Sequence, residues 1–250
     1  MDFLPVKIFI FTLILTRVSA FFLILPIFGA ETVPMRIKAG FVAILAVFFA
    51  VFLPVPSVVQ QPQPIEMILM LASEASCGLL FALIIVCIFS VIKIAGEIAE
   101  REMGLSLSEV FDPMTGESAK PVAMFLEMIF ILFFLNANGH HLFLRVLHKS
   151  FMVFTPGTFG NISAMTEAVI NAGSAMLIAS LRLSAPILGA FLLLMITLAI
   201  LARIAPEMNI LFLSFPMKVA LGFMMLTVFV PFLKDFVAEF ADWMAKLLPL

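Results

Sequence analysis

Three ionisable side chains lie inside long apolar runs of this sequence, at Arg17, Glu74 and Arg182. A charge at the centre of a membrane-spanning helix costs about 2.5–3.5 kcal/mol on insertion scales, so it usually faces a partner group or a wet cavity. Such groups serve either solute binding in an autonomous multi-span secondary transporter or ion pairing that fixes helices against each other or against neighbouring subunits. The sequence shows no convincing inverted repeat. This favours pairing and leaves the transporter as the alternative.

Catalytic chemistry has little support in the sequence. It contains no HExxH zinc-protease motif, no GxSxG nucleophile elbow and no phosphate-binding glycine loop. An intramembrane aspartyl protease would need aspartates within its spans, yet all four lie outside the apolar runs, at Asp2, Asp112, Asp235 and Asp242. The adjacent His140 and His141 would point to different faces of a helix, which is typical of a helix end and not of a metal pair. We therefore predict no enzyme activity, no cofactor and no metal site.

The composition is that of a polytopic helical membrane protein. Hydrophobic residues make up 64% of the chain and charged residues 12%, with a mean hydropathy of +1.23. The net charge of −2 argues against a nucleic-acid binder. There are 29 Phe but no Tyr and one Trp, so the aromatic belt that most membrane proteins place at both interfaces is almost missing. Much of the surface is therefore expected to meet other protein.

The apolar residues group into six segments, at residues 8–28, 39–53, 65–94, 122–147, 167–202 and 210–233. The fifth segment is too long for one straight span and is expected to be broken at Arg182 and Pro186. The tail at residues 234–250 has amphipathic spacing and is predicted to be a separate surface helix. Basic residues divide almost evenly between the two sides of such an arrangement, whereas an inner-membrane protein with six simple spans normally shows a bias.

The longest polar interval covers residues 98–121. A loop of this length between apolar segments is usually functional or disordered. Its centre carries two apolar residues, Val110 and Phe111, which are unusual in a solvated linker. An apolar tip flanked by acidic residues suits a seal that excludes water when packed and can withdraw. As a functional element, the loop could therefore fold over and seal an opening between the helices at its two ends; as a plain connector, it would be disordered and tolerant of change.

Four stretches in a specific order and spacing carry a family resemblance: RVSA continuing to LPIFG at residues 17–29, VPMRIKAG at 33–40, GL with FDPMTG at 104–116, and RIAPEMN continuing to FPMK at 203–218. They resemble the flagellar biosynthetic protein FliR family and its virulence-type counterparts in type III secretion. In that family the loop that matches residues 104–121 projects into the pore. The resemblance therefore implies a plug made of Gly104, Glu109, Val110, Phe111, Asp112, Pro113, Met114, Thr115 and Gly116. A second set is predicted to serve helix packing and assembly: Arg17, Pro34, Arg36, Glu74, Arg182, Pro186, Arg203, Pro206, Asn209, Pro216 and Lys218.

The resemblance also implies an architecture and partners. The fold would be all-α and membrane-associated, with bent helical hairpins in a helical export-gate assembly. A P-like part at residues 1–171 would precede a Q-like hairpin at 172–233, bent near Pro186 and Pro216, and the C-terminal helix at 234–250. One copy would join FliP-like and FliQ-like subunits and contact an FlhB-like switch protein. The gate would pass unfolded export substrates across the bacterial inner membrane and stand partly above the membrane plane. The sequence leaves open whether the system is flagellar or virulence-type.

Overall fold

The computed structural model describes residues 3–26, 34–53, 63–105, 120–157 and 162–247. Every regular element within these ranges is an α-helix, which confirms the all-α fold for this part of the chain. In chain order the helices are α1 (Phe3–Ile24), α2 (Met35–Phe52), α3 (Pro64–Met103), α4 (Pro121–Asn136), α5 (Gly139–Val153), α6 (Ile162–Ile204) and α7 (Ile210–Leu247).

Five of these helices, α1, α2, α3, α6 and α7, are long and apolar enough to cross a membrane. The number rises to six if α4 and α5 together make one broken span. The break lies at Ala137 and Asn138, where Asn138 takes the left-handed conformation with φ 58°. The membrane class predicted from composition is confirmed, and the predicted segment at 122–147 is two helices because a left-handed residue cannot continue an α-helix.

Helix α3 is longer than predicted. It runs for 40 residues, and its last part includes the beginning of the polar interval predicted as a loop at residues 98–121. That prediction was wrong for residues 98–103. Glu100, Arg101 and Glu102 are good helix formers, so their polarity changes the character of the helix without ending it.

Two predicted breaks near the C-terminus are also absent. Helix α6 continues through Arg182 and Pro186, and α7 continues through Pro216 and Pro231 into the tail that was predicted to be a separate helix. A proline removes one backbone donor and disturbs one turn, and neighbouring turns of a membrane helix can absorb that disturbance. The bends expected near Pro186 and Pro216 stay predictions.

The chain forms two compact units. Unit one comprises residues 1–89, 138–174 and 241–250, and unit two comprises residues 90–137 and 175–240. The division predicted at residues 171 and 233 rests on likeness to other export subunits and not on contacts, so it stays a prediction.

The core of unit one is built on a buried stripe of α1. Leu13, Val18 and Phe21 are all fully buried, at a spacing that places them along one side of the helix, and Leu25, just after its end, is also buried. Against this stripe α3 approaches very closely at Gly78, where a Cβ atom would lie 2.5 Å from the backbone carbonyl oxygen of α1. Small residues allow two helix backbones to approach this closely.

The core of unit two joins the last turns of α3 to α4 and α7. A Cβ atom on Gly96 of α3 would lie 2.7 Å from the Cα atom of Ala123 on α4, so the two backbones are nearly in contact. Phe130 of α4 packs against Phe236 of α7 with ring centroids 6.0 Å apart. These contacts hold together the helices that begin and end on either side of residues 106–119.

Candidate functional site

A buried ion pair lies at the centre of unit one. The Nε of Arg17 on α1 and the Oε2 of Glu74 on α3 are 2.5 Å apart, and both residues are 1% exposed. Burying two charges costs several kcal/mol per ion, and the cost is recovered only with good geometry and further hydrogen bonds to the remaining polar atoms. The surroundings of the pair supply those bonds.

Arg17 also holds the C-terminal end of α5. Its Nη1 donates to the backbone carbonyl of Ser150 at 3.0 Å and to that of Phe154 at 2.9 Å. The guanidinium carbon lies 4.5 Å from the ring centroid of Phe151. A cation at a helix C-terminus is stabilised by the carbonyl groups that lack a helical partner, and the aromatic face adds a cation–π contact.

Glu74 holds the turn that follows α5. Its second oxygen, Oε1, accepts a hydrogen bond from the backbone N–H of Gly157 at 3.0 Å. Gly157 has φ +85°, a left-handed conformation that favours glycine. We call Arg17, Glu74 and the backbone groups of Ser150, Phe154 and Gly157 the α1–α3–α5 clamp. Both carboxylate oxygens have partners within this clamp, so the pair is a closed structural junction.

The sequence predicted only part of this junction. Arg17 and Glu74 were singled out as charges that could pair with each other, and they do. The backbone partners on Ser150, Phe154 and Gly157 were missed, because every residue carries a carbonyl and a side-chain pattern does not show which ones converge. The glycines and Pro156 at the end of α5 were the available signal, since they mark a turn there.

Arg182, the third charge within an apolar run, is not part of the α1–α3–α5 clamp. It is exposed on α6 and, among the residues that the structure describes, it takes part in no ion pair or hydrogen bond. Lys218 is half-buried on α7. The other residues predicted for packing and assembly share one property, which is exposure: Pro34, Arg36, Pro186, Arg203, Pro206, Asn209 and Pro216. Their role at subunit contacts stays a prediction.

In unit two, helix α3 ends inside the polar interval, and a glycine caps this helix end. Gly104 has φ +79°, and its N–H bonds to the carbonyl of Arg101 at 3.0 Å, while the N–H of Leu105 bonds to the carbonyl of Glu100 at 3.3 Å. This pair of bonds is the Schellman motif, in which a left-handed glycine satisfies the last carbonyls of a helix. Gly104 therefore ends α3, and its role in the plug stays a prediction. The other plug residues, Glu109 to Gly116, lie outside the described residues.

The two ends of this interval are tied together. Lys120 Nζ lies 3.0 Å from Glu97 Oε1, and the carboxylate Oε2 of Glu100 accepts the N–H of Ala123 at 3.4 Å. Pro121 is the first residue of α4, a position where its missing N–H costs nothing. We call Glu97, Glu100, Lys120 and Ala123 the loop stem. It makes the chain leave α3 and return to α4 at neighbouring points. The stem was missed at the sequence level, although acids three residues apart on α3 and a lysine before Pro121 were visible.

Comparison with known proteins identifies the family. A family model described as bacterial export proteins, family 1, matches residues 8–244. The flagellar biosynthetic protein FliR of Bacillus subtilis is 33% identical over 225 residues, which cover 87% of this chain and 85% of the relative. This chain belongs to the FliR family of bacterial export proteins. The resemblance predicted from the four sequence stretches is therefore confirmed.

Other relatives show the breadth of the FliR family. The FliR protein of Escherichia coli K12 is 28% identical over 223 residues, which cover 89% of this chain and 84% of that protein. The Yop proteins translocation protein T of Yersinia pestis is 25% identical over 237 residues, which cover 91% of this chain and 88% of that protein. The relatives thus include proteins named for flagellar biosynthesis and one named for the translocation of Yop proteins, and the chain matches both kinds along nearly its whole length.

Proposed function

We propose that this chain is a pore-forming subunit of a type III secretion export gate in the bacterial inner membrane. Its membership of a family of bacterial export proteins, together with its apolar helices, carries the proposal. The substrates would be unfolded export proteins, flagellar ones in a flagellar system. The chain itself would supply a conduit and no chemistry, and the energy for transport would come from partner proteins.

The loop stem supports a plug at residues 104–121. Because Lys120 is paired with Glu97 and Ala123 with Glu100, the intervening chain must leave and rejoin the helices at one place. We propose that the loop between these joined ends projects from the helices. Val110 and Phe111 lie near the middle of this interval, so an apolar tip would be carried at its far end. In the pore, that tip would exclude water until a substrate displaces it.

The exposed faces of α6 and α7 are consistent with contact to partner subunits. Large apolar side chains are widely exposed along both helices, for example Leu193 at 65%, Ile204 at 75% and Phe212 at 80%. Contiguous exposed apolar surface marks contact with protein or lipid, and the near absence of interfacial aromatic residues favours protein. We assign these faces to FliP-like and FliQ-like neighbours in an assembly that contains one copy of this chain and contacts an FlhB-like protein. Part of the assembly would be raised above the membrane plane.

The α1–α3–α5 clamp argues against the alternative, a secondary transporter that uses Arg17, Glu74 and Arg182. A transporter needs charged groups that can exchange a protein partner for a solute. Arg17 and Glu74 are buried and bonded to each other and to backbone groups. Mass measurement after gentle extraction separates the two functions. The gate predicts a hetero-oligomer, whereas a chain that purifies alone with solute transport activity would support the transporter.

The plug is tested by deleting residues 109–116 in the assembled gate and measuring ion conductance across the membrane. We expect increased leak, because the deletion removes the apolar tip and keeps the stem. A second variant, Val110→Ser/Phe111→Ser, keeps the length of the loop and removes only its apolar tip. We expect it to increase the ion conductance as well, through loss of the seal alone. Unchanged conductance in a gate that assembles normally would refute the plug.

A further inference from the structure

An open cavity of about 420 Å³ lies between α2 and α5 in unit one. Its floor is apolar and includes Leu45 and Phe48 of α2 and Leu144 of α5. These residues share a face of each helix, since positions three or four apart are neighbours on a helical surface. The volume is within the range of ligand sites in proteins.

The floor of the cavity is firmly supported. Phe49 is 3% exposed, and its ring centroid lies 5.4 Å from that of Phe151. Phe151 in turn lies under the guanidinium of Arg17 in the clamp. Phe48, beside it, is half exposed toward the cavity and stacks on Phe52 with centroids 4.6 Å apart. The cavity therefore lies over buried aromatic contacts that lead to the clamp.

The rim of the cavity is cationic. Arg145 and Lys149 line it from successive turns of α5, together with His141 and His148. Neither Arg145 nor Lys149 forms an ion pair within the described part of the chain. Helices α2 and α5 contain no aspartate or glutamate at all. Two fixed positive charges thus stand one turn apart above an apolar floor, with no acidic group on either helix to neutralise them.

We propose that this cavity binds an anionic phospholipid. The phosphate of the headgroup would lie between Arg145 and Lys149, and an acyl chain would cover Leu45, Phe48 and Leu144. Basic pockets between membrane helices are suited to anionic headgroups, and the contact with the chain removes apolar surface from water. Free phosphate would satisfy the charges and leave the floor bare. The site does not depend on the plug or on any particular partner subunit.

The first test uses the full chain, extracted from its membrane in mild detergent with whatever subunits accompany it. Native mass spectrometry would count the phospholipids retained after addition of phosphatidylglycerol or of zwitterionic phosphatidylethanolamine at equal concentration. We expect phosphatidylglycerol to be retained about tenfold more than phosphatidylethanolamine, because two cations face the headgroup. Equal retention of the two lipids would overturn the proposal, whatever the activity of the gate. So would loss of phosphatidylglycerol on addition of millimolar inorganic phosphate alone.

The second test removes the charges. Arg145→Gln/Lys149→Gln should lose most of the bound phosphatidylglycerol, and because both positions are exposed the fold should be unaffected. The charge-preserving exchange Arg145→Lys/Lys149→Arg should retain it. The control pair Lys7→Gln/Lys93→Gln removes two exposed charges outside the cavity and should leave retention unchanged. An equal loss in the control pair would refute the site. Loss of a protein subunit in place of lipid would show that this face binds a protein.

Discussion

The strongest prediction concerns the α1–α3–α5 clamp and the replacement Arg17→Met. The change removes the ion pair with Glu74, the hydrogen bonds to the carbonyls of Ser150 and Phe154, and the stacking on Phe151. Of the named contacts, Glu74 would keep only the bond from the N–H of Gly157 and would stay buried as a carboxylate with no cation. Removing one partner of a buried pair costs about 3–5 kcal/mol, which corresponds to roughly 150- to 4,000-fold in the unfolding equilibrium constant.

A double-mutant cycle measures how much of the cost of Arg17→Met comes from the contact with Glu74. Glu74→Met should cost a similar amount, because it leaves the Arg17 guanidinium buried without its counter-ion. Arg17→Met/Glu74→Met should cost much less than the sum, since apolar replacement of a buried pair is often close to neutral. The difference between the sum and the double variant measures the coupling between the two side chains. The two single costs sum to about 6–10 kcal/mol, so a double variant that costs no more than either single change corresponds to a coupling of at least about 3 kcal/mol.

The assay is reversible unfolding of the full chain in mixed micelles by a denaturing detergent, followed by circular dichroism. The control is Arg36→Met, which removes an exposed arginine of the same unit and should change the free energy of unfolding by less than about 0.5 kcal/mol. The reasoning fails if Arg17→Met costs less than about 1 kcal/mol, or if the effects of the two single changes simply add.

Two further predictions concern glycines and use the same unfolding assay. Gly78→Ala should destabilise the chain by about 1–3 kcal/mol, because the new Cβ would lie 2.5 Å from a backbone oxygen of α1 that cannot move aside cheaply, whereas Gly40→Ala meets nothing within 4 Å and should be neutral or stabilising. Gly104→Ala should cost about 1–2 kcal/mol because Gly104 has a left-handed φ of +79°, and Gly104→Asn should cost less. The control Gly173→Ala, in a helix with open space around the new Cβ, should cost nothing. Equal effects at Gly104 and Gly173 would contradict the Schellman cap.

The sequence predicted those features of the fold that depend on local composition. The length and apolarity of the segments identified helices. The ends of the helices were harder. Helix α3 ends at Gly104 because a left-handed glycine completes the cap there, and the charged residues before it are ordinary helix formers. Pro186 lies inside α6 without ending it, so its position gave a false boundary.

The sequence also could not predict the contacts of the candidate site, because they join residues that are far apart in the chain. Arg17 and Glu74 could be recognised as costly charges in apolar runs, but they are 57 residues apart in sequence, and only the tertiary packing brings them within 2.5 Å. The backbone carbonyls that complete the shell around Arg17 belong to Ser150 and Phe154, whose side chains give no sign of that role. In the loop stem, the helix register alone decides that Glu97 meets Lys120 and that Glu100 meets the first turn of α4.

The loop stem and the α1–α3–α5 clamp differ in how much free energy it costs to break them. This difference bears on which part of the protein can change its conformation. The pair of Lys120 and Glu97 is partly exposed, with side-chain exposures of 32% and 21%, so it contributes at most about 1 kcal/mol. Breaking the clamp by removing one of its charges would cost about 3–5 kcal/mol, because the remaining charge would be buried without its counter-ion. If residues 104–121 are the plug, a substrate could therefore break the contacts of the stem while the clamp of unit one stays closed. The stem alone would hold such a plug only weakly, and we propose that the apolar tip at Val110 and Phe111 supplies the rest of the closing force.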